Sequence, residues 1–189
     1  MEQKKQPFKA ILSPTLCLLI LCLITALAVS ATYALTAERI AEQRDLALAR
    51  SMGRLLVAER YELVLEDEGS IIYAAIAGHG GLEGHLILTS AFGYSGDVTV
   101  LTAVSDGLVI AVEVVDASGE TPGLGQNIRS ETFTQQFQNL TASPTLVHHP
   151  PTAPGEIQAL TGATISADAV VRAVALALAL YDTHIRQEG

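Results

Sequence analysis

Val98-Thr-Val-Leu-Thr-Ala-Val104 and Leu108-Val-Ile-Ala-Val-Glu-Val-Val115 are two runs rich in β-branched residues, separated by a short polar step. That step holds Asp106-Gly107, a pair that readily takes the positive φ of a tight hairpin turn. The two runs therefore predict an antiparallel pair of strands. Upstream, Ile71 to Ala77 is a further apolar, strand-like run, broken by Gly78-His-Gly-Gly81, and Leu86 to Thr89 is a shorter one. Glu59 to Ser70 is polar and is read as the beginning of the folded domain.

Downstream the periodicity changes. Gly119-Glu-Thr-Pro-Gly-Leu-Gly125 is a Gly/Pro-rich loop. Ser130 to Leu140 is read as a helix, with Phe133 and Phe137 one helical turn apart. A proline-rich loop runs from Pro144 to Gly155. Leu160-Thr-Gly-Ala-Thr-Ile-Ser166 then leads into a final helix, Ala167 to about Ile185. That helix is apolar almost all round and imitates a membrane span. Arg172 interrupts it, and the uncharged run to Tyr181 is too short to cross a bilayer. A helix buried against a sheet is the expectation. Hairpin-linked strands mixed with helices in this way define an α+β fold, one domain with an antiparallel sheet and flanking helices.

The other end of the chain is different in kind. Residues 10–32 hold no charge and are interrupted only by Ser13, Pro14, Thr15, Thr25, Ser30 and Thr32. About 20 such residues span the hydrocarbon core of a bilayer as a helix. Pro14 falls early, where a missing N–H costs little. A cleaved signal peptide has an apolar region of roughly 7–15 residues, shorter than this one. The expected organisation is a cytoplasmic N-terminus (1–9), a single transmembrane helix (10–32) and an extracytoplasmic domain (33–189). Lys4, Lys5 and Lys9 are denser and nearer the apolar run than Arg39, Arg44 and Arg50, which favours an inside N-terminus. From Thr36, read as an N-cap, an amphipathic helix reaches to about Val57, continuous with the anchor.

The formal net charge is −9. Of the basic residues only Lys4, Lys5 and Lys9 precede residue 33, so the outer domain is more acidic still. Such a surface excludes a phosphate-binding footprint for nucleic acid. Both cysteines, Cys17 and Cys22, lie in the apolar segment. The outer domain thus has no disulfide, no thiolate metal site and no cysteine ligands for an iron–sulfur cluster. His79, His85, His148 and His149 lack carboxylate or cysteine partners at ligand spacing and are read as loop histidines, so no metal site is expected. No Gly-x-Gly-x-x-Gly opens a helix after a strand, so no nicotinamide site is visible.

The chemistry concentrates in Leu160 to Ser166. Three hydroxyls, on Thr161, Thr164 and Ser166, surround Gly162 and Ala163 at the mouth of a long helix. A helix N-terminus offers unpaired N–H groups and a positive dipole end, which suit a phosphate. The same residues also read as an ordinary loop with a Ser/Thr cap.

Thr161-Gly-Ala-Thr164, followed by Ile165-Ser166, resembles the flavinylation motif of the FMN-binding domain family. Glu120-Thr-Pro-Gly-Leu-Gly125 resembles a loop of two related members of that family. These are the G component of the Rnf (Rsx) electron-transport complex and the C component of the sodium-pumping NADH:quinone reductase. Gly93-Tyr-Ser-Gly96 is similar to a third segment of the family. The three occur in the family's order, and the resemblance covers the anchor and essentially the whole outer domain. It implies FMN, held covalently by a phosphoester to Thr164. Thr161, Gly162, Ala163, Ile165 and Ser166 would then surround the attachment point. Glu120, Thr121, Pro122, Gly123, Leu124, Gly125 and Tyr94 would lie near the flavin. A threonine hydroxyl is a poor nucleophile unaided. The resemblance supplies a separate flavin transferase, which uses FAD and a divalent metal and releases AMP, so Thr164 is a substrate residue and the chain has no catalytic residue of its own. Where the transferase's pattern has Asp, three residues before Thr161, this chain has Gln158.

The short chain is identified as a member of the Rnf G-component branch. The resemblance then implies an electron-transfer subunit of an ion-translocating ferredoxin:NAD oxidoreductase in the bacterial inner membrane. Its partners would be other membrane, iron–sulfur and flavin subunits. The alternatives are an FMN subunit of a sodium-pumping quinone reductase or of another extracytoplasmic redox chain, and a cofactor-free anchored interaction module.

Overall fold

In the computed structural model the described residues are 8–67 and 69–186, without the side chains of residues 8–11 and 13. Most of the expected cytoplasmic segment 1–9 lies outside them. The chain divides into two compact units, one ending at Leu46 and the other beginning at Ala47. The first is the larger part of a single helix, α1 (Phe8–Leu55). Its residues from Pro14 on are long and apolar enough to cross a membrane, and none of its most apolar stretch is buried. The expected cap at Thr36 does not form. The helix continues through it, and the Thr36 hydroxyl donates back to Thr32 O at 2.9 Å, the habit of a helix-interior threonine.

The second unit is built on a five-stranded antiparallel sheet in sequence order. Its strands are β1 (Arg60–Asp67), β2 (Ser70–Ile76), β3 (Leu82–Phe92), β4 (Asp97–Ser105) and β5 (Leu108–Asp116). The β4–β5 hairpin forms as expected, with Asp106 at φ 52° and Gly107 at φ 76° in the turn. β1 occupies the stretch read only as polar. It is an edge strand whose residues are mostly exposed, so it shows no apolar run. β3 is also much longer than the four-residue run suggested.

The helix expected over 130–140 is only α2 (Glu131–Thr134), preceded by a 3-10 turn at Gly125–Arg129 and followed by another at Gln135–Phe137. Phe133 and Phe137 are buried there, edge to face at 5.6 Å. The proline-rich loop is flanked by a short parallel pair, β6 (Thr145–Val147) and β7 (Glu156–Gln158).

The last helix is α3 (Thr164–His184), beginning three residues before its expected start. It is the core helix the sequence implied. Val170, Ala173, Val174 and Ala177 are fully buried against Ile72, Ile87, Val98, Val100 and Val104 on one sheet face. The opposite face carries Leu86, Leu101 and Ala103, covered by Met52, Leu48 and Leu55 from the end of α1. Ser51 Oγ donates to Glu113 Oε1 at 2.9 Å, and Arg54 pairs with the same carboxylate. The sheet is therefore apolar on both faces, which explains why β4 reads as a near-continuous apolar run rather than a clean alternation.

One of the histidines read as loop residues is not one. His85 lies in β3, buried, with its ring edge-on to Tyr181 of α3 at 5.7 Å. Burial pushes its pKa below the ordinary 6.5. His79, His148 and His149 are exposed in irregular segments.

Candidate functional site

Three turns meet at one end of the sheet. The first joins β3 to β4: Gly93 N–H donates to Gly96 O at 2.8 Å and closes Gly93-Tyr-Ser-Gly96. The second leaves β5 and runs through Gly119 to Gly125. The third is Leu160 to Ala163, where Ala163 N–H donates to Leu160 O at 3.0 Å and α3 then begins. Gly162 has φ +78°, a conformation that L side chains rarely adopt, and Leu124 lies against it. That is the physical reason for a glycine inside the Thr-Gly-Ala-Thr run.

Between these turns lies an open cleft of about 420 Å³, within the range of small-molecule sites, roughly 300–1,000 Å³. Tyr94, Glu120, Thr121, Leu124, Gly125, Gly162, Ala163, Thr164, Ile165 and Ser166 line it. The structure thus brings together most of the residues singled out in three separate segments. Thr161, Pro122 and Gly123 flank the cleft without lining it. Tyr94, Leu124 and Ile165 are exposed large apolar side chains at its rim. No lysine or arginine is among the lining residues.

The hydroxyls differ. Thr164 is the first residue of α3 and is exposed. Thr161 is exposed in the preceding turn. Ser166 is 2% exposed, and its Oγ donates to Glu120 Oε2 at 2.5 Å. Of these two neighbours of Thr164, then, it is Ser166 that ties α3 to the second turn. Ala163 occupies the cap position of α3 without a side-chain cap. The first N–H groups of a helix have no carbonyl one turn back to bond to, and here Thr164 and Ile165, which carry two of them, line the cleft.

Glu120 is buried to 2% exposure and makes two side-chain hydrogen bonds. Besides Ser166, its Oε1 accepts the Tyr94 N–H at 2.7 Å. Its own carbonyl accepts from Gln126 Nε2 at 3.2 Å. Sequence reasoning placed Glu120 near the site but did not foresee that its carboxylate joins the first and second turns to the start of α3. It also missed Arg172, whose guanidinium donates to Phe92 O at 2.7 Å and to Asp168 Oδ2 at 2.8 Å, fastening the end of β3 to α3. An arginine interrupting a long apolar run was the available signal. Gln158, on β7, is exposed, and its N–H donates to Gln136 Oε1 at 2.7 Å.

The fold has counterparts of known structure. Shewanella oneidensis NqrC superimposes with a TM-score of 0.52 over 68% of this chain and 69% of that one, at 16% identity. The C component of the Na+-translocating NADH-quinone reductase from Parabacteroides distasonis gives 0.54 over 67% and 77%, also at 16% identity. At such identity the likeness concerns fold alone. Sequence comparison goes further. The FMN-binding domain family matches residues 93–179, which contain all three turns of the cleft, and the RnfG N-terminal region matches residues 1–55.

The G component of the proton-translocating ferredoxin:NAD+ oxidoreductase complex of Clostridium ljungdahlii is 32% identical over 83% of this chain and 84% of its own length. The G component of the ion-translocating oxidoreductase complex of Vibrio cholerae is 30% identical over 88% and 87%. The corresponding component of the Na+-translocating complex of Acetobacterium woodii is 36% identical over 54% and 51%. The chain belongs to the RnfG family, the G components of these ion-translocating oxidoreductase complexes.

Proposed function

We propose that this protein is the electron-transfer G component of a membrane-bound, ion-translocating ferredoxin:NAD oxidoreductase, and that it carries FMN as a phosphoester on Thr164. The observation that carries the second statement is the position of Thr164. It is an exposed residue at the start of α3, on the wall of a cleft formed by all three family-like segments.

The residues present fit this group. Leu124, Ile165 and Tyr94 offer apolar surface for a flat ring system. The uncapped start of α3 offers N–H groups and a dipole end to a phosphate. With no cationic side chain among the lining residues, a free phosphate dianion has no ion-pair partner there. An ester supplies the retention that charge pairing does not. In the attachment step the Thr164 oxygen bonds to the flavin-side phosphorus of FAD, the pyrophosphate P–O bond breaks, AMP departs, and the hydroxyl proton goes to solvent or transferase. When bound, the flavin supplies the redox chemistry. The chain's residues orient it and limit its contact with water.

The apolar part of α1 serves, in this reading, as the single membrane anchor, with the N-terminus inside and the domain outside. Partner subunits hold the remaining centres and the ion path. Peptide mass spectrometry after co-expression with a flavin transferase tests the attachment. The expected adduct is FMN less one water on Thr164, and Thr164→Ala abolishes it while the fold persists. An adduct on Thr161 or Ser166, or an unmodified peptide despite active transferase, refutes the assignment; in the latter case Gln158→Asp is the rescue to try. Protease digestion of the domain in intact, right-side-out cells tests the orientation, and full protection there refutes it.

A further inference from the structure

Resting on that reading, we propose that Glu120 is a positioning residue for flavin attachment: its buried carboxylate fixes the first turn of α3, and so the direction in which the Thr164 hydroxyl is presented.

The two carboxylate oxygens go to different segments. Oε2 accepts from Ser166 Oγ, two residues beyond Thr164 in the same helical turn, and Oε1 accepts the Tyr94 N–H of the β3–β4 turn. The backbone around the carboxylate is shaped to admit it. A Cβ added at Gly93 would collide with Oε1, and one added at Gly125 would lie 2.7 Å from Oε2 and 2.9 Å from Ser166 Oγ. A side chain at either of these glycines would therefore press on this carboxylate, and with it on Val98 Cγ2 at position 93 and Ser166 Oγ at position 125. Gly119 and Gly96 add to the closeness, since a Cβ on Gly119 would meet Gly96 Cα at 3.1 Å. A buried ionisable side chain costs free energy unless its oxygens are hydrogen-bonded. Here both are: one bond reaches the first turn of α3, two residues beyond Thr164, and the other reaches the β3–β4 turn.

The geometry also explains why hydroxyls two residues apart differ in availability. Ser166 is committed to Glu120 and buried, whereas Thr164 is exposed. Removing the carboxylate frees the first turn of α3 to shift and unlocks Tyr94 at the rim. A transferase must then find the hydroxyl in a distribution of directions. The attached flavin, held at one end by its ester, loses a fixed orientation in the cleft.

The test uses the full chain with purified transferase and FAD. It reads three quantities: the rate of attachment at Thr164, the visible-region circular dichroism of the attached flavin, and the thermal midpoint. Glu120→Ala and Ser166→Ala are each expected to slow attachment about tenfold, the loss equivalent to one charge-assisted hydrogen bond, and to flatten the visible dichroism. The double variant should be no slower than Glu120→Ala, because the two groups act as one. Glu120→Gln keeps one acceptor and one donor in the same space and should remain within about threefold of the parent. Unchanged attachment and dichroism in Glu120→Ala, with only the midpoint lowered, would show that Glu120 merely supports the fold and would overturn the proposal. If Glu120→Ala does not fold, Ser166→Ala decides in the same way. Failure of the parent chain itself to accept flavin would instead remove the reading on which this rests.

Discussion

At the residue scale, the cleft shows how far side-chain identity can be read without coordinates. Thr164 was legible as a hydroxyl beside a helix start and Gly162 as a residue suited to a turn, because local chemistry marks both, whereas the packing of Leu124 against Gly162 was not. The bonds of Glu120 were not legible. They join residues 26 and 46 positions away in sequence, and no periodicity connects a carboxylate to such partners. The two glycines packed against its side chain, Gly93 and Gly125, were visible, but only as turn residues. Thr102 is a further case. It lies on β4 in register with Val100 and Val104, fully buried, and its hydroxyl has no partner among the described residues. A buried hydroxyl without a bond costs about 1–3 kcal/mol. Thr102→Val has nearly the same shape, and should raise stability by about 1 kcal/mol in urea unfolding. A destabilised variant would show that the hydroxyl is satisfied after all.

At the scale of elements, the sequence spoke most clearly where apolar residues recur over many positions. The β4–β5 pair and α3 follow from their patterns. β1 was missed because an exposed edge strand has little to bury, and β6 and β7 because three residues are too few to show a period. The helix over 130–140 was overextended because the Phe133–Phe137 spacing continues across α2 into a 3-10 turn, where both rings are buried without a longer helix.

The β3–α3 contact carries a pH dependence. His85 is pushed below its ordinary 6.5 by burial. The folded chain therefore favours the neutral ring, and as pH falls through 6.5 the unfolded chain takes up a proton first. Stability from this contact is complete above 6.5 and declines below it, towards the lower folded value. The thermal midpoint should fall over that interval, and His85→Phe should reduce the fall. An equally steep fall in the variant would assign the effect to other groups.

At the scale of the whole molecule, the compact unit that carries the cleft begins at Ala47, not at the end of the apolar run. A chain starting at Ala47 should therefore fold as a soluble domain. One starting at Arg60 loses Leu48, Met52 and Leu55 and leaves Leu86, Leu101 and Ala103 uncovered. Its thermal midpoint should be lower by at least about 5 °C, as a loss of roughly 2 kcal/mol gives in a domain of this size, and it should bind hydrophobic dyes. Equal midpoints for the two would mean that the end of α1 contributes no cover.

The sheet is a meander in which each strand pairs with the one just made, whereas the cleft needs residues 93–96, 119–125 and 160–166 together, and α3 is the last of the described elements. Growing from its N-terminus, the polypeptide can assemble the sheet early, but it has no complete receptacle until its final helix has emerged and docked. On the proposed reading, a modifying enzyme that recognises the finished turn of α3 would act only on chains in which α3 has been made and packed, so that attached flavin would serve as a tally of molecules that have passed through folding.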